Sequence, residues 1–183
     1  MLALLVSVYT CWDNYFHFKL NVTAGKQIKL WVAKMDKGPT TPVILMSLAF
    51  TNSGGKTACA QDVKLDVVVT SDNRQLWQRE FTSMREYDTL LASGSTINQG
   101  ELLPIIIVGK TTQVRKYIFF PFGSIQQNDI PKSFDLTMTV YTKHGDKWKS
   151  QATYKAENIS DVWQDIDNLD TWKYSIRDIH EVQ

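Results

Sequence analysis

Six residues, Asn52-Ser53-Gly54-Gly55-Lys56-Thr57, end in the Gly-Lys-Thr order with which nucleotide sites hold phosphate. In a loop of the form G-x-x-x-x-G-K-[ST], the glycines let backbone N–H groups wrap the phosphates, and a following helix points the positive end of its dipole at them. With Gly55 as the second glycine, the first belongs at position 50, which is Phe50. The chain then continues Ala58 to Val69 as a β-branched stretch of period two, so no helix start follows the loop. No nucleotide is expected. The same letters read as a strand-to-strand connection, in which Asn52 and Ser53 turn the chain and Gly54 and Gly55 tolerate positive φ.

The other chemically capable residues are scattered. His17, His144 and His180 have no second His or Cys at ligand spacing, so no metal is expected. His144 falls in a hairpin turn and His180 in a solvated tail. No serine sits in a G-x-S-x-G elbow. Asp165-Ile166-Asp167 lacks the glycine and the terminal Glu of a calcium-binding loop. No catalytic acid, base or nucleophile emerges, no cofactor is expected, and the chain reads as non-enzymatic. The two cysteines, Cys11 and Cys59, form no CxxC pair and read as separate thiols; a disulfide between them would need an oxidising compartment. Among the six tryptophans, Trp77, Trp148, Trp163 and Trp172 are the candidate binding residues, as exposed aromatic platforms of the kind that hold sugars. Packing in a core or interface explains a tryptophan equally well, because each buries a large area. Asn21-Val22-Thr23 and Asn158-Ile159-Ser160 match the N-glycosylation acceptor pattern, which has meaning only in a eukaryotic secretory setting.

These residues must be positioned by strands. The chain has 183 residues, 43% hydrophobic and 21% charged, enough for one domain with a real core. A net charge of +1 without a basic stripe gives no field to attract nucleic acid, and none is expected as a partner. Period-two runs predict strands over Gln27–Met35, Val43–Thr51, Val63–Val69, Leu76–Thr82, Leu102–Val108 and Val114–Phe120. Val43–Thr51 is apolar almost throughout, as for a strand covered on both faces. Pro104 belongs at a strand start or an edge. The clearest unit is a hairpin: Phe134, Leu136, Met138 and Val140 alternate with polar residues. Across Lys143-His144-Gly145-Asp146, Trp148 to Ala156 do the same.

The two ends differ from this middle. Leu2 to Trp12 carries no charge, but Asp13 and Lys19 arrive too early for a span of about 20 residues. Two readings stand: the remnant of a membrane anchor, favoured by the aromatic group Trp12, Tyr15, Phe16 and Phe18, or a buried core element. A cleaved signal peptide fits less well, for want of a positive n-region and an A-x-A site. From Glu157 the chain holds seven acidic residues against Lys173 and Arg177. Ser160 can cap a short helix with Val162, Trp163, Ile166 and Leu169 on its apolar face. Beyond it, Trp172, Tyr174 and Ile176 suit a strand, and Trp172, Ile176 and Ile179 a helix.

The fold class expected is all-β: an antiparallel sandwich of seven to eight strands, with an apolar N-terminal segment (1–20), a sandwich domain (21–158) and an acidic, aromatic C-terminal extension with a short helix (159–183). The run Leu48-Ala49-Phe50-Thr51-Asn52-Ser53-Gly54, followed by Ala58 to Val69, resembles the strand connection of immunoglobulin-like or CARDB-type sandwiches. Leu4 to Thr10 resembles the end of the single N-terminal membrane helix of small bacterial proteins that carry such a domain. That resemblance implies a fold rather than an activity. The functional expectation is a membrane-associated module, attached through residues 1–20, that acts by binding or spacing and has a protein partner. The alternative is a soluble sandwich that binds carbohydrate or another ligand through exposed aromatic residues.

Overall fold

The structure is a computed structural model, and it describes residues 5–10, 12, 19–34, 40–86, 89–90, 96–97, 104–123, 125, 133–160, 174–178 and 180–182. Residues 5–10 are helical, and the Thr10 hydroxyl donates back to Val6 O at 2.7 Å. The rest is strand and turn. The strands are β1 (Leu20–Lys34), β2 (Thr40–Asn52), β3 (Ala58–Ala60), β4 (Asp62–Ser71), β5 (Arg74–Glu86), β6 (Thr89–Leu90), β7 (Thr96–Ile97), β8 (Ile105–Ile107), β9 (Thr111–Pro121), β10 (Ser133–His144), β11 (Lys147–Ser160), β12 (Tyr174–Asp178) and β13 (His180–Glu181). The chain is therefore all-β and antiparallel in every pairing described.

One sheet of nine strands runs β12-β1-β2-β9-β5-β4-β10-β11-β13, with β3–β8 and β6–β7 as separate two-stranded pieces. Seven long strands form its body, and both edges are short strands of the C-terminal tail. β12 lies along β1 from Gln27↔Asp178 to Trp31↔Tyr174, whereas β13 lies along β11 at Tyr154↔Glu181 and Lys155↔His180. Tyr174 and Ile176 thus take the strand alternative; the Ser160-capped helix falls on residues outside those described.

Local chemistry explains the turns. Asp72 and Asn73 both adopt positive φ (51° and 60°) between the paired Ser71 and Arg74, the two-residue turn whose twist matches a hairpin. Gly145, at φ 58°, does the same for β10–β11. Pro104 precedes β8, where its missing N–H takes nothing from a ladder. Several strands run further than their apolar runs suggest: β1 starts at Leu20 and β5 extends to Glu86. In β5 backbone pairing continues past Met84, the last apolar residue, whereas in β1 the added stretch brings Leu20 and Val22 into the core.

The alternation that predicts the strands also builds the core. β4 buries Val63, Leu65, Val67 and Val69, and β10 buries Phe134, Leu136, Met138 and Val140. These join side chains of β1, β2, β5, β9 and β11 in a single hydrophobic cluster, so the inner faces of all seven long strands meet. Ala58 and Ala60 of β3 with Ile105 and Ile107 of β8 join the same cluster. On the opposite face Val43, Leu45 and Ile118 form a smaller cluster with Phe120, which is why β2 reads as apolar on both sides.

β1 and β11 also approach each other directly. The Tyr154 hydroxyl accepts a hydrogen bond from Ala24 N at 2.8 Å and donates to Val22 O at 3.4 Å. Burial raises the pKa of this phenol, with the Glu181 carboxylate adding to the rise and the bond from Ala24 N opposing it. The tyrosine thus stays a neutral donor.

Candidate functional site

The NSGGKT loop is organised by Asn52, which is fully buried. Its Oδ1 accepts from Gly54 N at 3.1 Å and from Lys19 N at 3.3 Å. Its Nδ2 donates to Lys56 O at 2.6 Å and to Ile107 O at 3.1 Å. One side chain therefore joins the end of β2, the entry to β1, the loop itself and the end of β8. All four hydrogen-bonding positions of the amide are used. Of the loop's N–H groups Gly54 N is engaged by Asn52, and Gly54 O, an acceptor, is tied to Lys110 N at 3.0 Å. Strand β3, not a helix, follows.

Gly54 and Gly55 do not adopt the positive φ expected of them; the described glycines with positive φ are Gly123 and Gly145. The glycine that this loop requires is Gly109, on the segment that faces it. A Cβ on Gly109 would stand 2.2 Å from Gly55 O and 2.9 Å from Gly54 O, so two backbone segments touch where only glycine fits.

A second polar group lies where β4, β5 and β9 meet. Arg115 Nη1 donates to Glu86 Oε1 at 2.7 Å, with the two side chains 17% and 25% exposed, and its Nε donates to Gln113 Oε1 at 3.3 Å. Asp62 Oδ1 accepts from Val63 N at 2.7 Å and Ser83 Oγ at 3.0 Å. Near these charges the Tyr117 hydroxyl is buried without a hydrogen-bond partner. Its ring packs edge-on against Phe50, centroids 6.2 Å apart, and tilted against Phe119 at 5.7 Å. Burial pushes its pKa well up, Glu86 adds to the rise, and the Arg115 cation opposes it. A phenol so held keeps its proton and is no base or nucleophile at neutral pH. Arg115 holds Glu86 and Gln113 through two of its five N–H groups. This cluster caps the core with an ion pair; it does not set out an acid and a base for reaction. Sequence reading missed it, because Arg115 and Glu86 look like ordinary wet-face residues of their strands.

His144 belongs to a hydrogen-bond chain rather than to a bare turn. Gln151 Nε2 donates to Thr142 Oγ1 at 2.6 Å, Thr142 Oγ1 lies 2.9 Å from His144 Nε2, and His144 Nδ1 lies 2.9 Å from Cys59 O. A carbonyl can only accept, so Nδ1 carries the proton and Nε2 receives one from Thr142. The chain pins β3 to the end of the β10–β11 hairpin. Cys59 itself is exposed and free, and its suggested partner Cys11 lies outside the described residues.

Of the four candidate tryptophans, two are described. Trp77 is half-buried, packs on the main core and stacks on Phe81 with centroids 6.5 Å apart. Trp148, 37% exposed, lies beneath the Lys64 ammonium, 4.6 Å from the ring centre. Lys64 also faces Tyr141 at 5.8 Å and pairs with Glu80. The structure does not bring Trp77 and Trp148 into one site, and Trp163 and Trp172 lie outside the described residues. Among the described residues no group of three or more His, Cys, Asp or Glu side chains could hold a metal ion. No protein-family model matches this chain, and neither a curated protein nor a solved structure does so.

Proposed function

We propose that this chain is a non-enzymatic, membrane-associated β module that acts through binding or spacing, and that residues 1–20 bring it to the membrane. One observation carries the reading: every described residue of the helical segment is exposed, with Leu5 at 59%, Val6 at 58%, Val8 at 59%, Tyr9 at 72% and Trp12 at 54%. The apolar residues Leu5, Val8, Tyr9 and Trp12 fall on one side of the helix and Ser7 and Thr10 on the other; an exposed apolar face calls for a cover, and one with aromatic residues at its end fits the lipid–water boundary. No described helix is long and apolar enough to cross a membrane, so the reading for residues 5–12 is contact with the bilayer.

The module itself reads as a barrel-like sheet, with the seven long strands and the tail (β12 with β13) as the eighth element, rather than the two-layered immunoglobulin-like sandwich. Support comes from the tail, which pairs with β1 through β12 and with β11 through β13. An eight-stranded barrel has an interior just wide enough for side chains to fill, in keeping with the single apolar cluster. The polar residues at its ends are engaged in holding backbone and one another, which suits a scaffold. A sugar platform built on Trp77 and Trp148 has less support, because one ring stacks on Phe81 and the other lies under Lys64.

Vesicle flotation tests the membrane reading. Full-length protein is mixed with phosphatidylcholine vesicles and spun through a density gradient. The intact chain rises with the lipid, and Leu5→Asp/Val8→Asp stays below. If the intact chain stays below, the reading is wrong.

A further inference from the structure

The seam between the first and last long strands is closed by two kinds of contact, which meet at Tyr154. At one level the Tyr154 hydroxyl bridges from β11 to Ala24 N and Val22 O of β1, without using any residue of the tail. At the next level the tail lies along β1 opposite Gln27–Trp31, and pairs with β11 at Tyr154 and Lys155. The Val182 amide donates to Thr153 O at 2.8 Å.

The tail's hold on β11 comes from main-chain pairing. His180 and Glu181 are exposed, and Val182 is 48% exposed. Backbone ladders of this kind accept any extended strand of suitable sequence. Tyr154 reaches β1 without any tail residue between them.

We propose that this seam is a strand-acceptor slot. The tail fills it in cis, and the tail of a second copy of this chain fills it in trans, joining two copies by strand exchange. The occupant is argued from the slot: residues 174–181 already satisfy its register on both sides.

The probe is a fluorescein-labelled peptide of residues 174–183 added to the full-length chain, read by anisotropy. The peptide binds saturably, with an apparent affinity lowered by the fraction of slots the cis tail holds. A lock is made with Lys29→Cys and Ile176→Cys, which stand opposite each other in the register. Oxidised, it lowers the bound peptide by about tenfold or more, and reduction restores binding. A peptide carrying Ile176→Pro and Arg177→Pro does not bind, because proline cannot donate to a ladder and adjacent positions serve opposite edges. This control tests the slot without altering the protein. The proposal is overturned by no uptake in the unlocked chain, by equal uptake in the oxidised lock, or by equal uptake of the proline peptide. None of these readouts involves lipid, so the outcome is separate from that of flotation.

Discussion

Replacing Asn52 with alanine removes four hydrogen bonds at one stroke. The groups left behind are Lys19 N, Gly54 N, Lys56 O and Ile107 O. They are not equivalent. The bonds to Gly54 N and Ile107 O are buried, whereas those to Lys19 N and Lys56 O are partly open and can turn to water. A buried group left without a partner costs about 1–3 kcal/mol, and a bond replaced by water about 0.5–1.5 kcal/mol. Two of each give an expected loss of about 3–5 kcal/mol, once some relaxation of the loop is allowed for. The assay is urea unfolding followed by tryptophan fluorescence: the midpoint falls and the slope is unchanged. Asn52→Asp adds a discriminating arm. A carboxylate would face two carbonyl oxygens, so its charged form is disfavoured and its folded-state pKa rises. The variant then recovers stability as pH falls and the acid regains a proton to donate. A loss below about 1 kcal/mol for Asn52→Ala, or no pH dependence for Asn52→Asp, would refute the view that this amide holds the loop.

Three further outcomes follow from the same reasoning. Tyr117→Phe removes a buried hydroxyl without a partner, so its stability near neutral pH stays within about 1 kcal/mol of the parent or rises. The raised Tyr117 pKa means that the folded state holds this proton more tightly; its contribution is full below the ordinary phenol value of 10.0 and is lost as pH climbs above it. Unfolding in alkaline buffer is therefore less advanced in Tyr117→Phe, and an equal response in both proteins contradicts the cause. Tyr154→Phe keeps the ring but frees Ala24 N and Val22 O, lowering stability by about 1–2 kcal/mol in urea, with faster amide exchange at Ala24. Gly109→Ala drives a methyl into Gly55 O and costs about 2–4 kcal/mol. Combined with Asn52→Ala it costs less than the sum, because both act on one loop.

How far the fold was legible depends on how local its causes are. The β10–β11 hairpin was readable because each strand alternates and Gly145 supplies the turn within the same short stretch. The burial of β4 followed from its own Val and Leu spacing. By contrast, Tyr174–Asp178 could be assigned to strand or helix, since what decides it is β1, at the other end of the chain. Asn52 looked like a turn former, and its bond to Ile107 O depends on where β8 comes to rest. The glycine pair was visible, but the glycine that the loop demands, Gly109, was not: its close approach to the Gly54–Gly55 backbone is a tertiary fact, invisible to any local pattern. Trp77 and Trp148 were legible only as large aromatic residues; whether a ring faces water, Phe81 or Lys64 depends on neighbouring strands.

The tail's pairing with β1 also has a consequence for synthesis. Ala24 and Tyr154 are 130 residues apart in the chain, and the β12 partners of β1 come later still. Sheets built on such distant contacts fold slowly, because long loops must close before the contacts reward them. At about 5–20 residues per second, translation leaves the outer edge of β1 waiting on the order of ten seconds before residues 174–182 emerge. During that interval β2 is the only neighbour β1 has in the sheet order. A nascent chain stopped short of residue 174 would leave the ribosome with that edge of β1 bare.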